Sequence, residues 1–308
     1  TDRCSLRCSY CRTEDSKCFF NSNPLSPEEI ETLVKIFAET GIRKVRFTGG
    51  EPLLRSDIAD IIKKIVAMPL IEDISVTTNG VLLKYLVFDL KSAGLKRINI
   101  SLDSLCRRTY AVITGDDRFY DVIEGIDAAL DIGFSPVKIN TVVMRGVNSM
   151  EIRDLLDWAE EKGLILRFIE YMPVSGNQDK WRKYFVSRDE ILSEIGKKGE
   201  IISVENIDFP SGGPAEYFQI KNRGYLFGII SSVSRPRCFE CDRIRINSSG
   251  DLFLCLYDMP FLNLRNFLYP ETEEKLRFLL KNIAMRKNSL TGSFRHRPYN
   301  PIMCSIGG

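Results

Sequence analysis

Cys4, Cys8 and Cys11 stand in C-x3-C-x2-C spacing within the opening run TDRCSLRCSYC. Three thiolates that close can hold three irons of a cubane 4Fe-4S cluster, leaving the fourth iron open to a small ligand that chelates through nitrogen and oxygen. Structural zinc is the competing reading, but zinc ordinarily takes four Cys or His ligands, and neither a fourth cysteine at motif spacing nor a histidine is near. A second triplet, Cys238, Cys241 and Cys255, has C-x2-C-x13-C spacing. Three soft ligands again suit a cluster with one open iron, and a zinc ribbon completed by His296 or Cys304 is the alternative. Between these ligands DRIRI alternates Arg243 and Arg245 with apolar residues, so both guanidiniums should face one side of a strand and meet an anion. Solvated charge on a sheet edge is the alternative there. In FTGGEP, at 47–52, two glycines let backbone approach a ligand and Glu51 adds an acceptor.

Composition narrows the chemistry. Nine cysteines in 308 residues is an odd count in a long chain, which favours reduced, metal-binding thiols over a disulfide framework. His296 is the single histidine, excluding most zinc enzymes and Ser-His or Cys-His catalysis. The balance of 43 Lys and Arg against 41 Asp and Glu gives +2, so any anion site must be local rather than a general basic surface. No apolar run approaches the roughly 20 residues that span a bilayer, and no charged-then-apolar leader is expected. A soluble intracellular protein is expected.

The elements that must position these residues follow from periodicity. From 26 to 173 helical patterns alternate with short β-rich runs at 44–48, 73–79, 97–102, 137–143 and 166–173, the pattern of a parallel α/β domain. Ser26-Pro27 caps and starts the first helix, and Gly41 stops it. Ligands of such sheets gather at the strands' C-terminal ends, where TGGEP, TTNG, SLDS and YMPVSG collect. A first strand is expected to precede Thr1, making six. After 186 the pattern changes to a short helix and small antiparallel strands in AEYFQI, YLFGIIS and RIRINSSGDLFLCL. Two domains are therefore read, 1–186 and 187–308. By composition the terminal Gly307-Gly308 is a frayed end.

C-x3-C-x2-C followed by GGEP resembles the radical S-adenosylmethionine (SAM) enzymes. That resemblance implies an α/β fold built as a partial (βα)6 TIM-like barrel, with its first cluster on Cys4, Cys8 and Cys11. It also implies SAM contacts by Tyr10, Gly50, Ser101 and Met172. From the residues alone, Ser101 would be a helix N-cap and Met172 a core gap-filler.

The two triplets together with RFTGGEPLLR, INISLDS, FIEYMP, GPAEYF, DRIRI and the ending RPYNPIMCSIGG resemble, along the whole chain, the GTP 3′,8-cyclases of molybdenum cofactor biosynthesis. The resemblance implies that a SAM-derived 5′-deoxyadenosyl radical takes the ribose 3′ hydrogen of GTP and that C3′ bonds to guanine C8. The product would be 3′,8-cyclo-7,8-dihydro-GTP. A smaller α+β C-terminal domain would carry a second 4Fe-4S cluster on Cys238, Cys241 and Cys255, binding the guanine edge. GTP contacts are implied for Arg46, Thr77, Lys138, Arg243 and Arg245; alone, Thr77 reads as plain β-propensity. Gly307 and Gly308 would reach into the active site. Implied partners are a reductant such as flavodoxin or ferredoxin, cyclic pyranopterin monophosphate synthase downstream, and a second copy in a homodimer. The compartment would be cytoplasm or mitochondrial matrix. A peptide-modifying radical SAM enzyme with auxiliary cysteines and a non-catalytic zinc or iron–sulfur module are the other readings.

Overall fold

Ser26 opens the first helix by a reciprocal cap: the backbone N–H of Glu29 donates to its Oγ at 3.1 Å while its own N–H donates to Glu29 Oε2 at 2.8 Å. With Pro27 in the first turn, this fixes α1 at Pro27–Glu39. In the computed structural model, which describes residues 1–11, 23–174, 178–205 and 213–290, strands and helices then alternate. Strand β1 spans Lys44–Phe47, β2 Asp73–Thr78, β3 Arg97–Ser101, β4 Val137–Val143 and β5 Ile165–Glu170. The connections carry α2 (Ile58–Val66), α3 (Leu83–Ser92), α4 (Arg107–Thr114), α5 (Phe119–Asp131) and α6 (Ile152–Glu161). After β5 come α7 (Gln178–Tyr184) and α8 (Arg188–Gly196), then β6 (Ile201–Val204), β7 (Glu216–Ile220) and β8 (Leu226–Ile230).

The main sheet has the order β1-β2-β3-β4-β5-β8-β7-β6. Strands β1 to β5 pair in parallel, and β8 lies parallel beside β5. The sequence reading makes AEYFQI and YLFGIIS small antiparallel strands after 186. They are antiparallel to each other, but the second also extends the main sheet past the division read at 186. LFGII is buried along nearly its whole length, so it needs cover on both faces, and an interior position supplies it.

Alternation along the strands separates two faces. Val76, Ile98, Ile100, Ile139, Leu166 and Phe168 pack with Ile62, Leu90, Ile126 and Leu156 of the helices into the main core. The intervening residues are polar: Ser75, Arg97, Asn99, Lys138 and Arg167 are all buried. In a flat sheet β1 and β5 would lie roughly 19 Å apart. Yet Arg167 acts on the charge of Arg46 more strongly than any other side chain does, so the sheet curls and turns its polar face inward as a partial barrel.

The hairpin of β9 (Arg245–Ile246) and β10 (Asp251–Phe253), with β11 (Leu262–Asn263), makes a second sheet. Asn247 Oδ1 accepts from the N–H groups of Ser249 and Asp251, and Gly250 takes φ 88°, as the NSSG turn requires. This sheet and α9 (Pro270–Leu290) share a second core with α1, through Leu33, Ile36, Phe37, Leu252, Leu264, Leu276 and Leu280.

Candidate active site

The cysteine segment lies across the C-terminal ends of β1, β2 and β3. Gly50 N donates to Thr1 O at 2.8 Å and Glu51 N to Arg3 O at 2.6 Å. A Cβ at Gly49 would meet Thr1 O at 2.3 Å, and one at Gly50 would meet Arg3 O at 2.2 Å. The two glycines of GGEP thus make room for residues 1–3, a chain-to-chain approach that TGGEP alone did not reveal. Glu51, expected as an acceptor for a ligand, is 1 % exposed and spends its carboxylate on its own fold. It accepts from Leu53 N at 3.0 Å, Thr78 Oγ1 at 2.7 Å and Asn79 N at 2.7 Å.

Further along, Arg7 N and Ser9 N donate to the last carbonyls of α4, Thr114 O and Ile113 O, both at 2.8 Å. The Tyr10 hydroxyl donates to Asp103 Oδ2 at 2.8 Å. Asp103 is held from β4 by Val142 N at 2.8 Å, and its backbone carbonyl accepts from Asn148 Nδ2. Burial pushes the Asp103 carboxyl up to about 6. Ser101 ends β3, half-buried; the N-cap of α4 is Cys106 instead.

The donor set fits an iron–sulfur cluster. Burial, Asp103, Cys11 and Cys4 together push the Cys8 thiol well above its usual range. Three thiolates gathered there need a cationic centre to stay ionised. Among the described residues no group of three or more His, Cys, Asp or Glu is placed to hold a metal ion.

Inside the barrel the charge is unbalanced. Arg97 makes a two-toothed pair with Asp73, its Nε donating to Oδ1 at 2.6 Å. Arg46, Lys138 and Arg167 converge on the same space. Arg46 keeps an exposed side chain, yet the protein around it and Arg167, Arg97 and Arg243 push it down to about 10, against a smaller opposite pull from Asp73. Lys138 is pushed down to about 7 by burial, then by Arg167, Arg97 and Arg46. Its Nζ lies 3.4 Å from Tyr217 Oη. Arg167 donates from Nη2 to Asn99 Oδ1 at 2.7 Å, while Asn99 Nδ2 donates to Val76 O and Thr77 Oγ1. Among the described residues Arg167 Nε, Ser75 Oγ and Asn140 Oδ1 are buried without a hydrogen-bond partner.

The second triplet meets the same end of the barrel. Cys238 begins a 3-10 turn, Cys238–Glu240, closed by Cys241 N donating to Cys238 O at 3.2 Å, and Cys255 follows β10. Glu170, buried at the end of β5, accepts from Val233 N at 2.8 Å and Ser234 N at 2.9 Å, anchoring the chain just before Cys238. Arg245 is pushed down to about 10 by burial and Arg243, with Cys255 and Cys241 pulling the other way. The DRIRI strand is shorter than read: it starts at Arg245, so Arg243 precedes it. Arg243 nonetheless acts on both Arg46 and Arg245. Met172 packs with Phe253, Leu256 and Tyr257, joining β5 to this triplet. His296, Cys304, Gly307 and Gly308 lie outside the described residues.

Arg97, Asn99, Arg167, Asn79 and Asp103 escaped the sequence reading. One signal could have found the first three: polar residues at every second position of strands otherwise fit for a buried parallel sheet.

Residues 1–159 match the model of the radical SAM superfamily, and residues 164–291 match that of molybdenum cofactor synthesis C. The chain is 40 % identical over 313 aligned positions to GTP 3′,8-cyclase of Thermodesulfovibrio yellowstonii, covering 100 % of this chain and 95 % of the relative. It is 42 % identical to GTP 3′,8-cyclase of Petrotoga mobilis, over 86 % of this chain and 82 % of the relative. Among solved structures, Streptococcus suis SuiB bound to S-adenosylmethionine has a TM-score of 0.60 at 17 % identity, covering 90 % of this chain and 66 % of that one. At that identity the likeness speaks for the fold.

Proposed function

Because the chain belongs to the radical SAM superfamily and, within it, to the GTP 3′,8-cyclases, we propose that the polar barrel interior is its GTP site and the cysteine segment above it the SAM site. The observation that carries this is a cluster of cationic side chains, Arg97, Lys138 and Arg167 buried and Arg46 and Arg243 more open. Arg167, Arg97 and Arg243 act on Arg46, and Arg167, Arg97 and Arg46 act on Lys138, with Asp73 opposing them at both. Like charges gathered this closely repel one another, and a triphosphate supplies opposite charge with several acceptors.

Cys4, Cys8 and Cys11 would hold the first cluster, which when bound would supply the electron for reductive cleavage of SAM and so the hydrogen-abstracting chemistry that joins ribose C3′ of GTP to guanine C8. The chain's own part is binding and orientation. Arg46, Lys138 and Arg167 hold phosphate oxygens, while Thr77 and Asn99 line the wall beside them. Asp103 fixes the Tyr10 ring against the adenine of SAM, and Gly50 presents backbone to its amino group. Ser101 and Met172 stand at the ends of β3 and β5 as further SAM contacts. Cys238, Cys241 and Cys255 hold a second cluster, with Arg243 and Arg245 between it and the phosphates. The same reading takes Gly307 and Gly308 into the site and an electron from a flavodoxin or ferredoxin. It also passes the product to cyclic pyranopterin monophosphate synthase, and places a homodimer in the cytoplasm or mitochondrial matrix. No helix among the described residues is long and apolar enough to cross a membrane.

The test is SAM cleavage by anaerobically reconstituted protein with and without GTP, with the nucleotide product identified. Cys8→Ser should abolish cleavage, whereas Cys255→Ser should keep some cleavage and lose the cyclised product. Equal, complete loss of cleavage in both would refute this division of labour.

A further inference from the structure

Asn79 follows β2 directly, and its amide is locked at several points. Its backbone N–H donates to Glu51 Oε2 at 2.7 Å, and its Oδ1 accepts from Val81 N at 3.0 Å. Because Oδ1 faces a donor, the orientation of the amide is fixed by its hydrogen bonds, and Nδ2 must point the other way. Nδ2 lies 3.1 Å from Ser5 Oγ and 3.7 Å from Cys4 Sγ, the latter within the longer reach of a sulfur acceptor. An amide nitrogen carries two hydrogens, so both contacts are made at once. Behind it, Glu51 ties the GGEP loop to Leu53, Thr78 and Asn79, so the donor is braced by the same carboxylate that follows the two close-packed glycines.

We propose that Asn79, braced by Glu51, is an outer-sphere hydrogen-bond donor to the Cys4 thiolate and sets the reduction potential of the cluster held there. The inference rests on the reading of Cys4 as an iron ligand and adds to it a residue that touches the ligand rather than the iron. An N–H directed at a thiolate sulfur draws off negative charge. The reduced cluster carries one more electron than the oxidised one, so the bond stabilises the reduced form more and raises the potential. That favours electron entry before SAM is split. Glu51 acts through Asn79 and is a positioning residue.

Potentiometric titration of the anaerobically reconstituted full chain, followed by electron paramagnetic resonance, reads this directly. Asn79→Ser keeps a short acceptor for Val81 N but cannot reach Cys4. Asn79→Asp keeps the shape and replaces the donor with an acceptor. Both should bind iron like the parent while the midpoint potential moves to more negative values, further for Asn79→Asp, and dithionite-driven SAM cleavage slows several-fold. Parent-like potentials in both variants would overturn the proposal. So would loss of iron with unchanged circular dichroism, which would make Asn79 a scaffold of the segment. Cys4→Ser separates the two layers: if it keeps the full cluster, the ligand reading has failed, and Asn79 is not the cause.

Discussion

Arg167 and Lys138 show how single side chains report the site. Arg167 is buried, shares one guanidinium nitrogen with Asn99 and keeps Nε without a partner among the described residues. Replacing it by a neutral residue of similar length should relieve charge in the ligand-free protein while removing a charge-assisted contact to phosphate. Arg167→Met should therefore weaken GTP binding by roughly 1.5–3 kcal/mol, about 10- to 150-fold, with the ligand-free melting temperature held or raised. A falling melting temperature with unchanged GTP affinity would make Arg167 a structural residue. Lys138 titrates near 7, facing Arg167, Arg97, Arg46, Asp73 and Tyr217. Its folded value lies below the unfolded one, so the unfolded chain binds more protons between about 7 and 10. The destabilisation is fully present below pH 7 and fades as pH rises from about 7 to about 10. Bound triphosphate reverses the balance by favouring the charged amine. GTP binding near pH 8 should then take up a proton, with affinity falling as pH rises above 7 and the uptake lost in Lys138→Met. Calorimetry in buffers of different ionisation enthalpy measures it, and zero proton uptake in the parent would remove Lys138 from the phosphate site.

Among the elements, the loop after β1 does most to hold the site together. Its glycines admit residues 1–3, Glu51 clamps the end of β2, and Asn79 there reaches Cys4. Gly50→Ala would drive a Cβ to 2.2 Å from the Arg3 carbonyl, a clash with backbone that no side-chain rotation relieves. The variant should fold, because the strands and helices supply most of the main core and the cysteine segment only Leu6, yet lose iron from the first cluster. Total iron would fall from about eight per chain, for two cubane clusters, to about four. Full iron in Gly50→Ala would show that the segment can dock without this approach.

The whole molecule is stitched across the division read at 186. Strand β8 completes the parallel part of the main sheet, while α1 buries Leu33, Ile36 and Phe37 in the C-terminal core. Arg265 strengthens that tie through Nε and Nη2 to Glu29, at 3.1 and 3.0 Å. The second triplet is thus carried on a body anchored at two places, which keeps it facing the barrel mouth. Leu33→Ala, at 2 % exposure, should cost about 2–5 kcal/mol, read as a lowered urea midpoint with unchanged slope. A loss below about 1 kcal/mol would mean that α1 does not anchor the C-terminal sheet.

The Ser26 cap and the five strand positions were legible because each depends on residues close in sequence. Capping chemistry and a period of two are local properties, and the strand at 137–143 matches β4 end for end. Other features needed residues distant in the chain. That Arg46 meets Arg167 and Arg243 follows from the curl of the sheet, which depends on how eight strands order themselves. That Gly49 and Gly50 yield to Thr1 and Arg3, and that LFGII enters the main sheet, depends on partners some forty to sixty residues away. Local pattern states which residues can pair or pack, whereas the choice of partner is decided by packing and pairing over the whole chain at once. The cationic interior therefore took shape only in the tertiary structure.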